Sequence, residues 1–252
     1  YNIIRKEVKK MKKGYFLMAV ITAVMAGLFA VGCSSDGATT PEEEPTLVPV
    51  STATATSTPM KIDDFEASTN PTDPNMLGGD WESGKNASSV NTVTLETGAA
   101  STTKSKQMAG NVTGVDPTEK WPYISMATSI SYTAEAVDVS GFTGLRLYMK
   151  GAKGAGDNTA FLIQLIVPDT MISDGSTWRY TWTPNASWTQ VTIPWTSFNA
   201  PNWGGTGQGE ALTRQQILEN VTAIQWAISD VTEGGFGVST GHTWSVDEIE
   251  LY

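Results

Sequence analysis

The sequence predicts an all-β fold, a single β-sandwich over residues 60–252. Short runs rich in β-branched and aromatic residues recur between Gly, Pro, Asn and Asp, which is typical of strands separated by turns. Only 213–218 has a helical pattern, with Thr213 placed to cap its first turn. So many strands in about 190 residues indicate two packed sheets. The clearest strand-like runs are 145–149, 161–167, 190–193 and 223–228.

The N-terminal region has the pattern of a secretory signal. Lys12 and Lys13 precede an apolar run over 15–31, which is about long enough to cross a bilayer, so a permanent transmembrane helix is one interpretation. The run ends in Phe-Ala-Val-Gly-Cys at 29–33, which resembles the lipobox of bacterial lipoproteins. The resemblance implies that residues 1–32 are a signal peptide, with an over-extended start at 1–10. It also implies that acyl chains on Cys33 anchor the protein to a membrane of the bacterial cell envelope, at the outer membrane or cell surface.

Residues 33–59 predict a flexible tether between the lipid anchor and the β-sandwich. The segment is rich in Thr, Ser, Pro and Ala and has no aromatic residue. Such a composition cannot bury enough apolar surface to offset the conformational entropy lost on ordering. We expect it to hold the folded domain away from the lipid surface.

Charge and cysteine content exclude several classes of function. Six of 16 Lys and Arg and one of 26 Asp and Glu precede Cys33, which leaves a net charge of −15 after it. An acidic surface repels phosphate backbones, so we expect no nucleic-acid partner. Cys33 is the single cysteine and His242 the single histidine, so the domain has no disulfide framework and a zinc site is not expected.

Several segments, taken in order, resemble the galactose-binding-like jelly rolls, in particular complex I intermediate-associated domains and family-11 carbohydrate-binding modules. The resemblance implies a jelly-roll β-sandwich and is a better guide to fold than to ligand. We also expect the first and last segments to pair as neighbouring strands. The segments that carry the resemblance are 62–66 (IDDFE), 77–81 (LGGDW), 137–145 (VDVSGFTGL), 149–151 (MKG), 188–198 (WTQVTIPWTSF) and 244–251 (WSVDEIEL).

Acidic residues at both ends of the domain predict a calcium site. If the terminal strands meet, several carboxylates converge, and calcium takes six to eight hard oxygen ligands. The resemblance to these β-sandwich modules, which often hold a structural calcium there, implies that Asp64, Glu66 and Asp247 are the ligands. A solvated acidic surface is the alternative interpretation.

Aromatic and polar residues predict a ligand surface. We assign Trp182, Trp188, Trp195, Trp226 and Trp244 to the core because they lie in apolar strand contexts. Loop aromatics and polar residues within apolar strands are then the candidates for binding a neutral glycan, and an ordinary solvated face is the alternative. The candidate ligand-binding residues are Trp121, Tyr123, Arg146, Tyr148, Gln164, Arg179, Trp203 and Gln225.

No catalytic motif is evident. A triad hydrolase needs a Ser or Cys beside a His, and no Gly-x-Ser-x-Gly sequence accompanies His242. We therefore predict non-catalytic binding of a polysaccharide or oligosaccharide, such as a β-glucan, for partner glycanases. A protein-interaction or assembly module is the first alternative. A polysaccharide hydrolase or lyase is the second, because two opposed carboxylates would suffice for one.

Overall fold

The computed structural model describes residues 57–99, 102–114, 122–155, 159–201, 206–230 and 238–252, all within one unit, Thr52–Tyr252. Eleven strands and three short helices are present in these ranges. The strands are β1 (Met60–Asp63), β2 (Trp81–Lys85), β3 (Val90–Glu96), β4 (Ser105–Thr113), β5 (Tyr123–Ser129), β6 (Gly144–Ala152), β7 (Thr159–Ile166), β8 (Trp178–Trp182), β9 (Thr189–Pro194), β10 (Ala223–Asp230) and β11 (Val238–Leu251).

The strands form two antiparallel sheets, which confirms the predicted all-β sandwich. Sheet A has the order β3-β4-β11-β6-β9, with β1 also paired to β11. Sheet B has the order β2-β5-β10-β7-β8. The register pairs Met60 with Leu251, so the first and last strands are neighbours, as the sequence predicted.

The helices are short, and none in the described ranges has the length and hydropathy needed to cross a bilayer. Two 3-10 turns span Trp195–Ser197 and Gln208–Ala211, and α1 spans Arg214–Leu218. The Thr213 side chain caps α1 through a capping box with Gln216, which confirms the predicted helical turn.

The core lies between the sheets and is rich in tryptophan. Trp81 of β2 stacks on Trp226 of β10 with ring centroids 5.6 Å apart, and Trp182 stacks on Trp244 at 5.2 Å. Four of the five tryptophans assigned to the core are buried there, but Trp188 is half-buried outside it. Trp188 immediately precedes β9 and lies 4.7 Å from the Lys150 ammonium on the outer side of sheet A, so its core assignment was wrong.

One lysine points into this core. Lys106 of β4 is fully buried, with its Nζ 3.8 Å from the Trp81 ring centroid and 5.2 Å from that of Phe65. Its ammonium has no hydrogen-bond partner in the part of the chain that the structure describes. Burial lowers the pKa of Lys106 to about 7, although the nearby carboxylate of Asp63 acts in the opposite direction.

Candidate functional site

Alternation along the strands of sheet B separates an apolar inner face from a polar outer face. In β7, Ile163 and Leu165 are buried in the core, and Gln164 between them is half-buried on the opposite side. In β10, Gln225 lies in the same way between Ile224 and Trp226. The outer face of sheet B therefore carries the polar residues that interrupt otherwise apolar strands.

Three of the predicted ligand-binding residues form one row across this face. Gln225 of β10 is paired with Gln164 of β7, and Gln164 is paired with Arg179 of β8. Neighbouring strands are about 4.8 Å apart, so the row extends over roughly 10 Å. We call Gln225, Gln164 and Arg179 the polar row.

The two glutamines of the polar row present open hydrogen-bond acceptors. Gln225 donates through Nε2 to Ser125 Oγ at 3.1 Å, and Gln164 donates through Nε2 to Thr177 Oγ1 at 2.7 Å. These bonds orient both carboxamides, and neither side-chain oxygen receives a donor from the described residues. Each glutamine therefore offers a fixed acceptor toward the outside of the sheet.

Arg179 ends the row with an open donor group. Its backbone is fixed by two hydrogen bonds with Asn199, of 2.9 and 3.1 Å. Its half-buried guanidinium makes no hydrogen bond or ion pair with any residue that the structure describes. Burial lowers the pKa of Arg179, and no carboxylate of the described residues offsets that effect.

The row beside the polar row is closed to solvent at its centre, where Ser125, Ala227 and Leu162 are buried. This row consists of Gly84, Ser125, Ala227, Leu162 and Thr181, paired in that order from β2 to β8. Tyr123, which is 36% exposed, lies beside it on the same face at the start of β5. A Cβ added at Gly84 would lie 3.6 Å from the Tyr123 ring and 2.6 Å from Ser125 Oγ, so glycine leaves room for both.

Sequence reasoning missed the supporting residues of this face. Ser125, Thr177 and Asn199 hold the polar row in place but were not among the candidates. The alternation in β5, where Ile124 and Met126 flank Ser125, contained the signal for one of them. Thr177 and Asn199 lie outside regular strands, so their roles depend on the tertiary contacts alone.

Arg146 and Tyr148 lie on the outer face of sheet A, on the other side of the core. Both are half-buried on β6, which pairs with β11 and β9. The Arg146 guanidinium forms an ion pair with Glu250 and lies 5.7 Å from the Tyr252 ring centroid. The structure thus divides the predicted ligand-binding set, with Tyr123, Gln164, Arg179 and Gln225 on sheet B. Trp121, Trp203 and Cys33 lie outside the described residues.

Asp247, one of the three predicted calcium ligands, organises the loop before β4. One carboxylate oxygen accepts hydrogen bonds from the Ala99 N–H, at 2.7 Å, and from the Thr102 hydroxyl. The other accepts from the Glu248 N–H at 2.8 Å. Burial raises the pKa of Asp247, although these hydrogen bonds favour its charged form.

Glu66 and Asp64 have partners of their own. Glu66 accepts from the Thr103 and Lys104 N–H groups, at 2.7 and 2.9 Å, and from the Thr103 hydroxyl. The Thr103 side chain is the main cause of its lowered pKa. Asp64 lies 3.6 Å from the Lys61 ammonium. As placed, Glu66 and Asp247 accept from N–H and O–H donors and Asp64 faces an ammonium, and no group of three acidic, His or Cys side chains in the described ranges is arranged to hold a metal ion. The calcium site stays a prediction.

The single histidine contacts a serine, but its hydrogen bonds run in the wrong direction for a nucleophile. His242 is buried, and its Nδ1 accepts from the Gly154 N–H at 3.0 Å. Its Nε2 therefore carries the hydrogen in the neutral ring and donates to Ser239 Oγ. The Ser239 hydroxyl in turn donates to the Ala155 carbonyl at 3.0 Å. Burial and then Lys153 lower the pKa of His242, so the ring is neutral and has no free base nitrogen toward the serine.

Several solved structures are similar to this chain. No curated protein gives a match. A family-11 carbohydrate-binding module of the Clostridium thermocellum cellulase Lic26A-Cel5E has 18% identity, 77% coverage of this chain, 94% of that chain and a TM-score of 0.49. A family-30 module of the Clostridium thermocellum cellulase Cel9D-Cel44B has 14% identity, coverages of 77% and 97% and a TM-score of 0.45. An exo-β-agarase has 14% identity, coverages of 76% and 24% and a TM-score of 0.42.

The family follows from the sequence match. Residues 87–240 match the family model of complex I intermediate-associated protein 30 (CIA30). The match spans more than half of the chain and lies within the region whose motifs carried the predicted resemblance. The chain therefore belongs to the complex I intermediate-associated protein 30 family.

Proposed function

We propose that the outer face of sheet B binds a polysaccharide or oligosaccharide without cleaving it. The observation that carries this proposal is the polar row, in which Gln225 and Gln164 offer open acceptors and Arg179 offers open donors. Sugar hydroxyl groups both donate and accept hydrogen bonds, so a ligand rich in them matches such a row.

The surroundings of the polar row support the same ligand class. Tyr123, on the same face at the start of β5, supplies an exposed aromatic edge against which a sugar ring can pack. The hydrogen-bond directions at His242 argue against one form of cleavage, a hydrolase with Ser239 as its nucleophile. Release of reducing ends or unsaturated sugars by the purified chain would contradict this non-catalytic assignment.

Affinity electrophoresis tests the proposal. The full chain is run through gels containing mixed-linkage β-glucan, which is the first probe because family-11 modules were among the predicted resemblances, and then through a wider polysaccharide panel. We expect at least one polymer to retard the wild type. Gln164→Ala should lose about 1–2 kcal/mol of binding free energy, roughly five- to thirty-fold in affinity. If no polymer in the panel retards the chain, the glycan proposal is wrong.

Gln190→Ala is the matched control for that experiment. Gln190 is an exposed glutamine on β9, paired with Tyr148 on sheet A. The two variants remove the same side chain from opposite faces, so only Gln164→Ala should change retention. Both should keep the wild-type melting temperature. Tyr148→Ala tests the aromatic candidate that the sequence predicted and the structure places on sheet A, and lost retention in that variant would assign binding to both faces.

We also propose a lipid anchor at Cys33 that holds this binding face in a bacterial cell envelope. The support is the lipobox-like sequence at 29–33 and the tether composition of 33–59. Cys33→Ala should abolish palmitate labelling and membrane fractionation in a bacterial host. Continued labelling of the variant would contradict the anchor.

A protein-interaction function is the second candidate, and one surface favours it. Tyr132 is 82% exposed and Met76 is 56% exposed, and a Cβ at Gly78 would lie 3.3 Å from the Tyr132 ring. The family name refers to an intermediate of complex I. Loss of an envelope partner on Tyr132→Ala, with glycan retention absent in the wild type, would favour this function.

A further inference from the structure

Arg179 differs from the cations on the other face of the sandwich. On sheet A and at its edge, the Lys61 ammonium lies 2.6 Å from Glu248, Lys150 lies 3.1 Å from Glu96, and Arg146 pairs with Glu250. Arg179 has no such partner among the described residues. A positive charge without a counter-charge is notable in a chain whose net charge is −10.

The strand register gives the distance from Arg179 to the acidic residue at the other end of its cross-strand row. Its row continues through Gln164, Gln225 and Ala127 to Glu82 on β2. Four strand spacings separate Arg179 from Glu82, a distance of about 19 Å. On its other side, Arg179 is bridged to Asn199, which is uncharged. The positive charge is thus isolated along the whole row.

The chemistry of the Arg179 guanidinium indicates which ligand group would pair with it. A partly buried charge loses hydration and is unfavourable unless a partner replaces the lost water. The planar fork of an arginine matches the two oxygens of a carboxylate, and such charged bidentate hydrogen bonds are stronger than those to a neutral hydroxyl.

We propose that the glycan bound on sheet B is acidic and that a uronic acid carboxylate binds Arg179 while neighbouring sugar hydroxyls bind Gln164 and Gln225. This inference rests on the proposed function and narrows its substrate class. It assigns Arg179 as the residue that selects charged over neutral sugars. Because the chain itself is acidic, selection depends on this local contact and not on the overall field.

Matched polymer pairs test the selectivity. The first pair is polygalacturonate and its methyl ester, and the second is mixed-linkage β-glucan before and after oxidation of C6 to a carboxylate. Within each pair the backbone is the same, and the carboxylate is replaced by an uncharged methyl ester or hydroxymethyl group. The full wild-type chain should bind the acidic member of at least one pair roughly ten-fold more tightly, the factor expected from replacing a neutral by a charged hydrogen bond.

Variants assign that preference to Arg179. Arg179→Gln should abolish it, and Arg179→Lys, which keeps the charge but not the fork, should retain only part of it. Lys150→Gln removes the same charge from sheet A and should leave the preference intact. Melting curves verify that each variant is folded, and the wild-type comparison needs no variant at all.

The outcomes separate the inference from the proposed function. Equal affinity for the acidic and neutral members in the wild type overturns the inference and leaves glycan binding in place. A preference for the acidic member that persists in Arg179→Gln also overturns the role of Arg179. Retention by none of the four polymers overturns the inference, and the wider panel then decides the proposed function.

Discussion

The two outer faces of the sandwich have similar sequence patterns but neutralise their charges differently. On sheet A, the cations are matched within the protein, as in the pairs Arg146–Glu250 and Lys150–Glu96. On sheet B, the polar row leaves the Arg179 guanidinium and two glutamine oxygens without partners in the described residues. Polar side chains whose charges and hydrogen-bond groups are paired with one another form an ordinary solvated surface. Polar side chains that are held in position but keep an unpaired donor or acceptor are available to a ligand. Cross-strand pairing, more than residue type, therefore distinguishes the two kinds of face.

Neighbouring positions on β10 give the largest expected contrast between core and face. Trp226 is fully buried and stacks on Trp81, while Gln225 is half-buried on the outer face. Trp226→Ala should lower the free energy of unfolding by about 3–5 kcal/mol because it leaves a large cavity. Gln225→Ala should change it little and weaken glycan retention instead. Urea unfolding of both variants checks this, and equal destabilisation would contradict the assignment of the two faces.

Calcium at the predicted site would act where β1 meets β11 in sheet A, away from the polar row. If the predicted site forms, calcium at about 100-fold excess over Kd stabilises the folded state by about 2.7 kcal/mol. Chelator should then lower the melting temperature of the wild type, and Asp247→Asn should remove that sensitivity. Glu250→Gln, on the same strand, serves as the control. Identical melting curves with calcium and with chelator would leave the hydrogen-bonded arrangement of Asp247 as its full role.

The core contains the buried ammonium of Lys106, and removing this charge should stabilise the folded protein. Lys106 has a pKa of about 7 when folded, below its ordinary value of 10.5. Between these two pH values the unfolded chain binds more protons than the folded one, so the free energy of unfolding rises with pH in that window. The destabilisation that Lys106 causes is therefore largest below about pH 7. Lys106→Met should raise the free energy of unfolding at pH 7, on the order of 2 kcal/mol, and flatten its pH dependence. Urea unfolding from pH 7 to 10 checks this, and an unchanged slope would contradict it.

The smallest expected effect concerns the ion pairs of sheet A. Arg146→Gln breaks the pair with Glu250, which is partly exposed. Such pairs contribute about 0.2–1 kcal/mol, and salt weakens them. We expect a small loss of stability at low ionic strength, a smaller one at high ionic strength, and unchanged glycan retention. Lost retention in this variant would make the two faces functionally alike.

Strand periodicity predicted most of the fold but only part of the site. Alternation around Gln164 and Gln225 identified which side chains leave the core, because period two follows directly from strand geometry. The same alternation placed Arg146 outward but could not tell that β6 and β7 belong to different sheets. That distinction depends on pairing between strands distant in sequence. The core assignment of Trp188 was wrong for a related reason, because the position of this residue just before β9 determines which side of sheet A it faces.

The pairing of β1 with β11 has a mechanical consequence. If the chain is anchored before Met60 while sheet B holds a fixed polymer, tension enters the domain through β1, which has four residues. Its hydrogen bonds to β11 run across the direction of pull, so they share the load and must break together. β1 is also linked to sheet B, because the chain continues from it into β2 and the Trp81 Nε1–H donates to the Asp63 carboxylate at 2.9 Å. The short first strand would then carry the load before it reaches either sheet.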